Sequence, residues 1–415
     1  MTDPTGKVFV SYKRTRLHEI KLLVQALHDH GIPTWQDITD LDAEPTPEEL
    51  RRVIQDPQTA AALLWLTAEV KDSPTITKIE IPEILNRKRK GDSFFVQPIA
   101  AGALNYDEAA AAVGEHAGID DLQRWNITRV QGDPIDEGEA ARIAERVLHR
   151  RLREVHRSLS PDAPIRLNLQ TREKAPFVPG TALSLDWAGR FDVRIAEAGT
   201  WSNRLLPALK TVSTMVREVA NGRRVEAGGL CTLSSAMALG AAFLAPTGTE
   251  IGWRQRNPLR DDQIWSLKAD RETAEISIRC SESDISSEDL AVIVTIGHDV
   301  ETPIGKTQDT LPKFRGYVHV IGPGEEPMDL RTPGQAVDAV RRTIDAVNTA
   351  RKQWRGIRQV HFFLATPTGF AVMLGQLING MGPVSTYEHD PIDAIGIYRR
   401  SAILHPGGQD QIARS

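Results

Sequence analysis

Two short loops that carry hydroxyl groups recur in this 415-residue chain at a fixed spacing. Thr232, Ser234 and Ser235 follow the apolar run 225–230, and Thr366, Pro367 and Thr368 follow the run 360–365. The flanks match as well: Ala236 and Ala371 stand 135 residues apart, as do Gly240 and Gly375. Each copy reads as a strand, a small-residue turn and a helix rich in Ala and Gly. After one gap each ends in a second strand that closes on an aromatic, Trp253-Arg254-Gln255 and Tyr387-Glu388-His389. The first turn of a helix exposes unpaired N–H groups, so a hydroxyl loop at that place suits a phosphate. Open α/β sheets take ligands where their strands end. Two such halves imply one pseudo-symmetric pocket. Each loop residue taken singly also serves as a plain helix cap; the twofold recurrence favours binding.

A second group of reactive side chains, Ser11, Tyr12, Lys13 and Arg14, ends the first apolar run at 7–11. Trp35 closes the next strand and leads into a polar loop, 36–47, that holds Asp37, Asp40, Asp42 and Glu44. Trp35 is as readily core packing as a surface for a base, and the acidic loop as readily a solvated one. His298, Asp299 and His361 have no partner at metal-ligand spacing, so no metal site is expected. With only Cys231 and Cys280, neither a disulfide framework nor a cysteine zinc site can form.

The elements that must position these residues alternate. Residues 7–11, 32–35, 60–66 and 94–99 read as strands, and 15–30, 73–90 and 137–157 as helices, with Gly31 as a stop and Ser73-Pro74 as a start. Strand–helix alternation implies a parallel sheet covered on both faces. The fold class is α/β, with one domain over 1–157 and a second over 158–415. Net charge is −5, which gives no bulk attraction for long nucleic acid. The longest apolar stretch, 236–246, is too short for a membrane span, and residues 1–7 carry no signal-peptide core. The chain is therefore expected in the cytoplasm, without membrane partners.

Val8-Phe9-Val10-Ser11-Tyr12 resembles the first box of a TIR domain, and Gly31-Ile32-Pro33-Thr34-Trp35-Gln36-Asp37 resembles the second. The resemblance implies a flavodoxin-like domain. In TIR domains that cleave NAD, a glutamate stands on the helix after the third strand. The matching stretch is Ser73-Pro74-Thr75-Ile76-Thr77-Lys78-Ile79-Glu80-Ile81, so the resemblance implies Glu80 as the catalytic residue, with Glu83 as the alternative register. Ile76 stands where many members carry an aromatic, and Pro82 interrupts the helix. Loss of nicotinamide gives the ribose oxocarbenium character, which one nearby carboxylate can stabilise without a metal or cofactor. On this reading Ser11, Tyr12, Lys13, Arg14, Trp35 and Asp37 contact the NAD+ substrate, and the loop 37–47 meets a neighbouring copy.

Asp186-Trp187-Ala188-Gly189-Arg190-Phe191, the twin units, the run 290–300 and Tyr387-Glu388 are similar to a SAVED domain. Such domains resemble two fused CARF-like Rossmann halves and sense cyclic oligonucleotides in CBASS anti-phage systems. The resemblance implies a cyclic oligoadenylate activator, cyclic tri-adenylate foremost, held by Thr232, Ser234, Ser235, Thr366, Pro367 and Thr368. Lys174, Trp187, Arg190, Trp253, Gln255 and Tyr387 are secondary candidates; for Trp187 and Trp253 core packing is the stronger reading. The two resemblances together imply an NAD+ hydrolase (NADase) effector of antiviral defence that assembles into a ligand-induced homo-oligomer. Two readings compete with it: a non-catalytic TIR scaffold under the same nucleotide, and, ranked third, a sensor half that cleaves its own ligand.

Overall fold

The computed structural model describes residues 1–35, 46–102, 104–105, 107–109, 111, 127–174, 177–220, 222–256, 261–322, 330–391 and 396–406. Asp37 and the acidic loop through Glu44 lie outside the described residues. The chain is mixed α/β with parallel sheets and divides into two compact units. The first comprises Met1–Asn168, Ala175–Asp186 and Thr214–Ala220; the second comprises Leu169–Lys174, Trp187–Ser213 and Asn221–Ser415. The units thus interleave in sequence instead of meeting at one cut.

The first unit holds strands β1 (Lys7–Ser11), β2 (Thr34–Trp35), β3 (Thr59–Leu66), β4 (Phe95–Ala100) and β5 (Thr128–Arg129). They form one sheet in the order β2-β1-β3-β4-β5, with every pairing parallel. In doubly wound sheets of this order the crevice for ligands opens at the strand ends where the winding reverses, here between β1 and β3. β3, Thr-Ala-Ala-Ala-Leu-Leu-Trp-Leu, is buried along its whole length, as a strand covered on both faces must be. Helix α1 (Leu17–Asp29) stops at Gly31, whose φ of 79° is the left-handed conformation a helix stop favours. Helix α2 (Pro47–Gln55) opens with a capping box between Thr46 and Glu49.

The stretch expected as one helix from 73 departs from that expectation. Residues Ile76–Glu80 form a π-turn, in which the Ile81 N–H donates to the Ile76 carbonyl, and helix α3 (Ile81–Lys88) follows. Pro82 is the physical cause: it lacks an N–H, and its ring crowds the carbonyl four residues back, so the preceding turn widens. The same sequence logic repeats in the second unit, where the π-turn Trp201–Leu205 precedes Pro207. Helix α4 (Glu137–Ser158) is capped by Asp136, which accepts from the Glu139 N–H at 2.8 Å. Its Arg151 is fully buried and donates to the carbonyls of Gly6 (2.6 Å), Ala182 (2.8 Å) and Thr5. After α4 come β6 (Ile165–Gln170), β7 (Leu183–Asp186), the short antiparallel pair β8 (Phe191–Asp192) and β9 (Ile195–Ala196), and helix α5 (Leu206–Ala220).

The second unit is built on the duplication. In the first copy β10 (Val225–Leu230) leads through α6 (Leu233–Ala242) to β11 (Ile251–Gln255), which pairs parallel with β10, and then to β12 (Gln263–Trp265), antiparallel to β11. Between the copies lie β13 (Ser277–Glu282), β14 (Asp289–Thr295), α7 (Glu301–Thr307), β15 (Gly316–Ile321) and α8 (Pro333–Gln353). In the second copy β16 (Gln359–Ala365), α9 (Thr368–Gly375), β17 (Val384–Asp390) and β18 (Ile397–Leu404) repeat the same pairings: β17 is parallel to β16, and β18 antiparallel to β17. The six-stranded sheet runs β13-β15-β14-β16-β17-β18, with its central pairings parallel. The duplication therefore extends to a third, antiparallel strand in each copy.

Helices α6 and α9 cross at the twin glycines. A Cβ on Gly240 would lie 2.1 Å from the Val372 carbonyl oxygen, and one on Gly375 would lie 2.1 Å from that of Met237. Met237 and Val372 are themselves related by the 135-residue offset, so the crossing is pseudo-symmetric. Only a residue without a side chain allows this approach of the backbones.

Candidate functional site

At the N-terminal ends of α6 and α9 the two copies enclose a cavity of about 410 Å³. Thr232, Thr366, Pro367, Thr368 and Gln255 all line it, so the structure brings the twin loops and the end of β11 together. Thr366 Oγ1 is enclosed without a hydrogen-bond partner among the described residues, a polar group left open to a ligand. Arg172, Arg194, Arg256 and Arg331 also line the cavity, against one carboxylate among the described residues, Glu388. Guanidinium groups are planar, permanently charged donors that suit phosphate oxygens. Trp265 adds an aromatic ring, and His298 and His389 add imidazoles. Burial, then the neighbouring His389 and Arg194, hold His298 below the usual histidine range.

Three N–H groups in the first turns of these helices are already engaged within the protein. The Ser234 N–H donates to Glu388 Oε1 at 2.5 Å, and the Ser235 N–H to Thr232 Oγ1 at 3.4 Å. In the twin copy the Gly369 N–H donates to Gln255 Oε1 at 2.9 Å. Ser234 and Gly369 are duplicated positions, so each copy ties down the helix of the other with a side chain from the end of its second strand. Ser234 and Ser235, 1 % and 0 % exposed, are buried in the first turn of α6 and do not line the cavity. The donors facing the cavity are therefore chiefly the arginines. Burial pushes the Cys231 thiol up and raises the Glu388 carboxyl to about 7 against the opposing pull of the Ser234 donors and Arg194.

Of the secondary candidates, Gln255 lines the cavity and the other five fall elsewhere. Trp187 and Trp253 are fully buried core residues outside the cavity, which corrects the stacking role considered for them. Tyr387 is buried too, stacked on Phe363 at 4.3 Å and hydrogen-bonded to His361 at 3.0 Å. The residues that follow it, Glu388 and His389, are the ones that reach the cavity. Lys174 and Arg190 do not line it, whereas Arg172, two residues before Lys174, does. Arg194, Arg256, Arg331 and Arg172 carry no local signal; only closure of the chain gathers them.

In the first unit Glu80 closes the π-turn and is 8 % exposed. Glu83, the alternative, is engaged by Gln55 Nε2 at 3.0 Å and Arg51 Nε at 3.6 Å. Ser11 and Tyr12 are buried at the end of β1, Lys13 Nζ donates to the Glu69 carbonyl at 3.2 Å, and Arg14 is exposed. Trp35 packs face to face on Phe9 at 5.2 Å within the core, which corrects its reading as a base surface. Beside these residues, and missed by sequence reading, Arg16 joins Glu19 (3.1 Å), Asp133 (2.8 Å) and Glu69 (3.5 Å). A shallow cavity of about 680 Å³ runs along α4 past Arg146, Arg150 and Gln97, and contains none of the candidate residues. Among the described residues no group of three His, Cys, Asp or Glu side chains could hold a metal, and no helix is long and apolar enough to cross a membrane.

Residues 209–403, the stretch that contains both copies, match the SAVED family, described as the SMODS-associated and fused to various effectors sensor domain. This part of the chain is a SAVED sensor domain. Solved structures similar to the chain include the Cap4 SAVED/CARF-domain containing receptor of Acinetobacter baumannii with the cyclic trinucleotide 3'3'3'-cAAA, at a TM-score of 0.46 and 14 % identity. The same receptor with 2'3'3'-cAAA gives the same values, and the Cap4 receptor of Moraxella osloensis gives 0.42 and 13 %. Each comparison covers 95 % of this chain and 100 % of the other. No curated protein matches the sequence.

Proposed function

We propose that the chain is a CBASS effector: its second unit binds a cyclic oligonucleotide, cyclic tri-adenylate foremost, and its first unit is a TIR domain that then cleaves NAD+. The observation that carries the proposal is the arginine-lined cavity where the twin loops meet, inside the SAVED stretch. A ring of phosphates needs several fixed cations around one enclosed volume, and four arginines from separate segments supply them. Trp265 forms part of the cavity wall, and the open Thr366 hydroxyl offers a polar contact.

For the first unit, the all-parallel order β2-β1-β3-β4-β5 is that of a flavodoxin-like sheet, the fold a TIR domain adopts. Glu80 follows β3 and is shielded from water, where a carboxylate acts on a developing positive charge more strongly than in bulk solvent. Its charge would stabilise the oxocarbenium-like ribose as nicotinamide leaves. Glu80→Gln should lower ring-stimulated NAD+ cleavage by at least about 100-fold while leaving ring affinity unchanged. Loss on Glu83→Gln with full activity of Glu80→Gln would move the assignment along the helix.

The scaffold reading draws support from the burial of Ser11, Tyr12 and Trp35, which leaves fewer free groups at the end of β1 for a substrate. Purified protein incubated with NAD+ and a panel of cyclic di- and trinucleotides separates the two. Nicotinamide release with one ring and not the others supports the effector; tight binding of a ring with no release supports the scaffold.

A further inference from the structure

We infer that Glu388 is a proton-linked binding residue of the sensor cavity: entry of an anionic ring is coupled to protonation of its carboxylate. The inference rests on the reading that the cavity holds a cyclic oligonucleotide. Glu388 is 5 % exposed, lines the cavity and is the one carboxylate among the residues described as lining it. Its Oε1 holds the Ser234 N–H of the opposite copy.

The duplication supplies an internal control. Gln255 holds the equivalent Gly369 N–H with a neutral amide oxygen. The tie between the copies therefore does not need a charge, and burying a carboxylate where an amide suffices is unfavourable. That charge is surplus to the fold and sits where phosphates would enter.

The groups that face it come from every side. Arg194 and the Thr232 hydroxyl favour its ionised form, Arg172 lines the same cavity, and Cys231 and Thr232 close the turn before α6. Tyr398 lies on the neighbouring β18, where Arg399 is the register partner of Glu388 but directs its guanidinium to Asp390. His389 follows on its own strand with His298 beyond it. Desolvation outweighs the Ser234 donors, Arg194 and the Thr232 hydroxyl and raises the carboxyl to about 7. Ring phosphates add negative charge and push the same way, so the bound state has the higher pKa. Well below pH 7 the carboxyl is neutral with or without a ring, and affinity is flat. Above pH 7 the ring must bring a proton in with it, and affinity falls by up to about tenfold per pH unit until the bound pKa is passed.

Calorimetric titration of the full chain with cyclic tri-adenylate at pH 8, in HEPES and in Tris, reads the proton directly. Wild-type protein should take up about 0.5–1 proton per ring, and Glu388→Gln, which keeps an acceptor for Ser234, close to none. His298→Gln should retain the uptake. Uptake that persists in Glu388→Gln or vanishes in His298→Gln would place the proton on an imidazole and overturn the inference. The wild-type pH series stands without any variant: affinity that stays flat or rises from pH 7 to 8.5 also overturns it. A wild-type protein that binds no ring overturns the cavity reading and this inference with it. Binding without proton uptake overturns the inference alone.

Discussion

Arginine side chains decide the electrostatics of the sensor cavity, and none of them stands in the motif that pointed to it. Arg172, Arg194, Arg256 and Arg331 come from four separate stretches, so their convergence is a property of the closed chain. Each removed charge should weaken ring binding about tenfold or more, with Arg194→Ala and Arg331→Ala the clearest probes. The dependence of affinity on salt should flatten with each, as one fewer ionic contact forms. Isothermal titration at two salt concentrations checks both effects. An affinity unchanged in every arginine variant would place the ring elsewhere. The aromatic candidates teach the converse. Trp187, Trp253, Tyr387 and Trp35 offer the residue types that stack on bases, but all four are held in cores by neighbouring rings or strands. Residue type announced an ability that burial withdrew.

At the scale of elements, strand and helix positions followed from apolar runs and their stops. Helix α1 ends at Gly31 and α4 begins at Asp136, both by chain-local rules. The π-turn before Pro82 was not legible as such, because a proline signals an interruption without specifying how the backbone absorbs it. The α6–α9 crossing shows what the repeated Ala and Gly are for. Gly240→Ala should destabilise the protein by about 1–3 kcal/mol or more, since its Cβ would press on a carbonyl oxygen that cannot swing aside. Gly375→Ala should act alike, and the double variant should cost less than the sum, because one widening of the crossing relieves both clashes. Urea unfolding with an unchanged slope measures this. Wild-type stability in either single variant would contradict the close crossing.

For the molecule as a whole, the proposed mechanism requires that ring binding in one unit be converted into NAD+ cleavage in another through assembly. Specific activity should then rise with protein concentration even when the ring saturates the cavity, and light scattering should show the mass growing over the same range. A ring-bound monomer that cleaves NAD+ at full rate would sink the mechanism. The sequence by itself determined the α/β class, the parallel first sheet and the duplicated strand–loop–helix of the second unit. Those are written in periodicity and in a constant offset, which short-range packing must obey. Tertiary structure alone decided which side chains share the cavity, because that depends on how two copies lean together across Gly240 and Gly375. It also decided that the Gly369 and Ser234 N–H groups are already held by Gln255 and Glu388. A hydrogen bond between residues 154 apart, such as that of Ser234 with Glu388, has no local pattern to announce it; only the closed fold brings donor and acceptor within reach.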